Sequence, residues 1–186
     1  VDKRLLKSIL GFAGWNVFGC AAVIMNNQGV NILLNMFFGP IVNAARGIAN
    51  RLNSIVLQLV QNFQTAANPQ IVKYHAAGED DRMINLILNN ARYAGLLMAF
   101  VLVPLYVEAP FVLKIWLGEV PAETVFFTRI ILIQSLIQTM SRPGVMGIHA
   151  VGNMKTVNIL AGGNLLLILP ATWIMLKLGI DLETVL

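Results

Sequence analysis

Five arginines stand inside long apolar stretches of the chain: Arg46, Arg51, Arg92, Arg129 and Arg142. A guanidinium surrounded by hydrocarbon costs roughly 2.5–3.5 kcal/mol at the centre of a bilayer, so it is kept for pairing, for snorkelling to an interface or for binding an anion. No carboxylate lies in the middle of these stretches to pair with them. Glu108, Glu119, Glu123, Asp181 and Glu183 gather at one set of ends, and Asp2, Glu79, Asp80 and Asp81 at the other. Partners are left to backbone, water, another part of the protein or an anionic ligand, which a guanidinium grips through two parallel hydrogen bonds. Arg129, set among Phe127, Ile130 and Ile131, fits snorkelling better than Arg46 or Arg142 does.

Amides accompany the arginines. Asn43, Arg46, Asn50, Asn53, Gln61, Gln64 and Asn68 recur at three- or four-residue steps, with one gap filled by Leu57 and Gln58, and so form a stripe along one helix face. Sparser sets follow the same steps: Asn16, Asn27, Asn31 and Asn35; Asn85, Asn89 and Arg92; and Thr124, Thr128, Ser135, Gln138 and Arg142. An amide offers donors and an acceptor without net charge, so a wall of amides can face water or hydroxyl groups at membrane depth. Two readings stand for each residue: the lining of a hydrated cavity, or hydrogen-bonding glue between helices. The length of the longest stripe favours the cavity. Its candidate substrate-binding residues are Arg46, Arg51, Asn43, Asn50, Asn53, Gln61, Arg92 and Arg142.

Other chemistries lack their residues. His75 and His149 are far apart, Cys20 has no partner of the right type and no paired carboxylates share a stretch, so neither a catalytic constellation nor a metal site is expected. Gly162 and Gly163 lack the Lys and Ser/Thr of a phosphate-cradling loop and are expected to permit close helix approach or local unwinding. The net charge of +4 comes with no basic run longer than Lys3–Arg4, which excludes a nucleic-acid surface. The chain is thus expected to be no enzyme and to need no cofactor.

The elements that must carry these residues are membrane helices. Hydrophobic residues make up 57% of the 186 positions and charged ones 12%, beyond what a water-soluble fold of this size can hide. Five stretches reach the ~20 residues of a bilayer crossing: 11–38, 41–68, 83–106, 122–151 and 155–178. The expected fold class is all-α, a polytopic five-helix membrane bundle within a single domain. Gly39 and Pro40 make a tight turn, Pro69 ends the second helix, and a charged aqueous loop runs over 69–82. Pro104 bends or frays the end of the third helix. A short amphipathic link over 108–120 carries Lys114 and Trp116 to an interface. Pro121 opens the fourth helix, which Pro143 and Gly144 interrupt. With the N-terminus inside, Lys3, Arg4, Lys7, Lys73, Arg82 and Lys155 fall on the cytoplasmic side and only Lys114 and Lys177 on the other. The opening Val1 without a Met or a signal peptide leads to the expectation of an internal fragment.

The stretch over 35–83, with FFGP, then VNAARGIA opening a helix, a long amide-rich helix, AANPQIVKY leaving it and a charged loop, resembles bacterial polysaccharide flippases. These belong to the multidrug/oligosaccharidyl-lipid/polysaccharide exporter (MATE-like) superfamily, and the resemblance is to the helices that open its second six-helix bundle. It implies a transporter that turns a polyprenyl-pyrophosphate-linked oligosaccharide across the bacterial inner membrane by alternating access. Its partners would be that lipid-linked substrate, membrane lipids and the missing first helical bundle of the same chain. By position, Arg46 and Arg51 resemble basic residues that follow FFGP; no motif singles out Arg92, Arg129 or Arg142. A cation-coupled drug antiporter of the same superfamily should keep a membrane carboxylate, and a membrane-embedded polysaccharide-processing enzyme should keep carboxylates and a sizeable outer loop. Neither feature is in this sequence.

Overall fold

A computed structural model describes residues 3–152 and 154–178. Asp2, Asp181 and Glu183 lie outside the described residues, as do the side chains of Lys3, Arg4, Lys7, Asn16 and Lys155. The elements are α1 (Lys3–Ala76), α2 (Asp80–Val107), α3 (Ala109–Leu117), α4 (Thr124–Ala150) and α5 (Met154–Lys177), with no strand among the described residues. Four of these helices are long and apolar enough to cross a membrane. Large apolar side chains point outward along them: Met36 is 72% exposed, Phe100 80% and Leu160 69%. Lipid is a favourable solvent for such a surface.

The 74 residues of α1 would reach about 110 Å if straight, several times the ~30 Å of a bilayer core. The run is broken at Gly39 (φ 83°, ψ 178°), a backbone region open essentially to glycine alone. Pro40 restarts the helix, its ring preset for a first turn. The expected break is therefore present, and α1 consists of a first arm (3–38) and a second arm (40–76).

Several expected boundaries move. Pro69 does not end the second arm, which continues to Ala76 with Ile71 fully buried in the turn after the proline. The expected loop over 69–82 shrinks to 77–79. There Gly78 (φ 72°) takes the left-handed position of a Schellman cap, with Gly78 N–H donating to the His75 carbonyl (3.0 Å) and Glu79 N–H to that of Tyr74 (2.9 Å). Asp80 and Asp81 do occupy the first turn of α2, where the helix dipole favours them. Glu79 makes no side-chain cap and instead accepts from Arg82 (2.8 Å). Pro104 is carried inside α2, which runs on to Val107. The amphipathic link is the short helix α3, with Ala109 and Leu113 buried and Trp116 exposed. Helix α4 opens at Thr124 rather than beside Pro121, and Pro143 lies within it without ending it.

The chain packs as two compact units, one of 1–37 with 152–186 and one of 38–151. In the first, the first arm packs on α5 through small residues. A Cβ on Gly19 would come within 2.9 Å of Asn158 Oδ1, one on Gly162 within 3.0 Å of Phe18, and one on Gly29 would collide with Leu169. Gly162 thus serves close approach as expected, while Gly163 faces open space. The pairs 19 with 158 and 29 with 169 ascend together, so these two helices run in the same direction.

The second unit is a three-helix bundle made by the second arm, α2 and α4, with α3 at one end. Val56 and Val60 pack on Ala94, Met98, Leu102 and Leu132 as its apolar core. Close glycine approaches, Gly95 to Met140 and Gly147 to Ile87, bring α2 and α4 together in antiparallel sense.

Candidate functional site

At ~100° per residue, the buried seam of the second arm (Ala45, Ala49, Val56, Val60, Ile71) and the polar stripe lie side by side and overlap along one edge. Residues on the overlap are drawn into the bundle. Asn53 is 9% exposed, and its Oδ1 accepts from the Ser135 hydroxyl at 2.7 Å, a proton that hydroxyl shares with the Ile131 carbonyl at 2.8 Å. Gln64 is 6% exposed and donates through Nε2 to the Thr139 carbonyl at 2.7 Å. That carbonyl is the one Pro143, four residues on and without an N–H, leaves unpaired. A side chain from the second arm thus supplies the bond the proline removes, which is why α4 carries Pro143 without breaking.

Below this contact, toward the Ala76 and Ala150 ends, a cleft of about 340 Å³ opens within the bundle. The second arm lines it with Gln61, Gln64, Thr65 and Asn68, and α4 with Gln138, Ser141, Arg142 and His149. Asn90 of α2 forms its floor, only 5% exposed. Its Nδ2 donates to the Gln64 backbone carbonyl at 3.3 Å, and its Oδ1 has no hydrogen-bond partner. Because a carbonyl cannot donate, the nitrogen must face Gln64, and the oxygen is enclosed in the bundle. Asn90 lies ten residues from the start of α2, about 15 Å along its axis.

Of the candidate binding residues, the cleft gathers Gln61, half-buried, and Arg142, exposed at its rim. Asn53 is inside the bundle, so for this residue the glue reading holds. Asn43 and Arg46 are half-buried on the second arm well above the cleft, Asn50 is exposed, and Arg92 is exposed on α2 outside the cleft. Arg51 is exposed about 140° around the helix from Arg46, so one phosphate cannot meet both from one face. Arg129, read as snorkelling, instead holds the end of α2: its Nε donates to the Tyr106 carbonyl at 3.3 Å and its guanidinium lies 5.3 Å from the Tyr106 ring centre.

Asn90, Thr65, Ser141 and His149 are cleft residues that the reading of the sequence passed over. For Asn90 a signal existed. It shares four- and eight-residue steps with the buried Ala94 and Met98, whereas Asn85 and Asn89 belong to the exposed face. Among the described residues no group of histidine, cysteine or carboxylate side chains is placed to hold a metal. Compared with family models, curated proteins and solved structures, the chain gives no match.

Proposed function

We propose that this chain is part of a flippase that carries a polyprenyl-pyrophosphate-linked oligosaccharide across the bacterial inner membrane by alternating access. The observation that carries the reading is the cleft within a bundle of membrane-length helices, where amides, hydroxyls and a guanidinium converge beside Pro143, Val145 and Met146. The resemblance over 35–83 supplies the substrate class, and the amide-rich lining suits hydroxyl groups. Arg46 engages the anionic end of the substrate, and the N-terminus, with the 77–79 turn, faces the cytoplasm. A drug antiporter of the same superfamily is the second reading, and it predicts efflux of organic cations rather than export of glycan.

The test uses the full-length protein in cells whose surface glycan depends on it. The paired substitution Gln61→Leu with Gln138→Leu should lower glycan export severely while membrane abundance stays at the parental level. Arg46→Ala should do the same, and Arg46→Lys should retain part of the export. Export at the parental rate in both the paired variant and Arg46→Ala would remove the flippase reading of these residues. Cysteines at Gly78 and Glu119 should label from opposite sides of the membrane, Glu119 from the periplasm.

A further inference from the structure

We infer that the end of α4, residues 144–150, is a hinged gate on the cleft, pivoting at Pro143 and Gly144 and latched by the Gln64 amide on the Thr139 carbonyl. Proline removes the hydrogen bond that would tie position 143 to Thr139, and its ring crowds that carbonyl, so a helix bends there more easily than elsewhere. Gly144 follows at once, and a Cβ placed on it would meet nothing within 4 Å, which leaves the pivot free of neighbouring helices. What spans the weak point is the bond from Gln64 Nε2 to the Thr139 carbonyl at 2.7 Å. A single neutral bond between membrane helices is weak enough to break and reform thermally.

The two sides of the pivot are held very differently. Before Pro143, α4 buries Phe127, Ile131, Leu132 and Ser135, and Arg129 Nε donates at 3.3 Å to the Tyr106 carbonyl, which Pro110, four residues on, cannot bond. After Pro143 the one buried residue of α4 is Gly147, which has no side chain and rests against Ile87 of α2. A segment that buries so little apolar surface is among the first to open. Val145, Met146 and His149 of this segment line the cleft, so its swing away from α2 widens the mouth. Gln64 lines the cleft as well, and water entering the widened mouth takes over the broken bond, which lowers the cost of opening. Such a gate acts on any occupant of the cleft and stands apart from the flippase reading.

The experiment times the exposure of a thiol beneath the gate. Full-length protein, otherwise without cysteine, carries Ile87→Cys and is reconstituted in nanodiscs, and labelling by a small hydrophilic thiol reagent is followed. Gln64→Leu removes the latch and should speed labelling by roughly tenfold. Pro143→Ala restores the N–H to the helix and should slow labelling by roughly threefold, and Gln64→Leu added to it should then change the rate little. The control is Met98→Cys, fully buried in the apolar core on the other side of the pivot, which should stay protected in every background. Equal labelling of Ile87→Cys in all backgrounds overturns the inference, as does acceleration of Met98→Cys in step with it, which marks general loosening of the bundle. Should Gln64→Leu fail to accumulate, Pro143→Ala alone decides: slower labelling supports the gate and an unchanged rate overturns it.

Discussion

The two compact units solve helix association in different ways. In the unit formed by the first arm of α1 and α5, glycines at 19, 29 and 162 let side chains of the facing helix come close to backbone. The contact depends on the absence of side chains. In the unit formed by the second arm, α2 and α4, an apolar core is flanked by amides that bond across helices, one of them to a carbonyl that a proline has freed. That contact depends on the presence of particular side chains. A bundle held by amides needs only one more polar wall to become a site.

The comparison predicts where each unit breaks. The largest effect is expected for Gly29→Val, which overfills the contact with Leu169 and should lower stability by about 1–3 kcal/mol, while Gly163→Ala, facing open space, should be neutral or slightly stabilising. Thermal unfolding of the full-length protein in detergent reads both, and equal loss for the two would deny the close packing. Next comes Gln64→Leu, which leaves the Thr139 carbonyl unpaired and should cost about 1–3 kcal/mol. In a Pro143→Ala background the N–H at 143 returns, and the cost of Gln64→Leu should fall markedly; additive costs in this double-mutant cycle would show that Gln64 does not serve the proline.

Smaller effects sharpen the same contrast. Ser135→Ala removes one interhelical bond and should cost about 0.6 kcal/mol, the ordinary value within membranes. Cysteine at Gln138, exposed in the cleft, should react with a hydrophilic thiol reagent faster than cysteine at Asn53, buried in the bundle; equal rates would place both on one surface. The smallest effect is expected at the turn joining the second arm to α2, where His75 Nδ1 lies 3.1 Å from Asp80 Oδ1 in a largely exposed pair. His75→Ala should change stability by less than about 1 kcal/mol.

The sequence alone determined the all-helical membrane class, the glycine–proline break near residue 39 and the existence of a polar face on the second arm. Each of these depends on local quantities: apolar length, backbone freedom and a three-to-four-residue step. Helix ends at proline were misjudged because the cost of a missing N–H is local while its remedy is not. At Pro143, Gln64 repays it through a contact that no window of sequence contains. The stripe likewise showed where amides were, and only packing decided their use. A rotation of the second arm by a fraction of a turn would take Asn53 out of the interior and swing Gln61 away from the cleft. Tertiary structure made that choice by burying Val56 and Val60 against α2 and α4, which turned Asn53 and Gln64 into ties between helices. The same packing brought Gln61, Arg142 and the previously unremarked Asn90, far apart in the chain, to a single cleft.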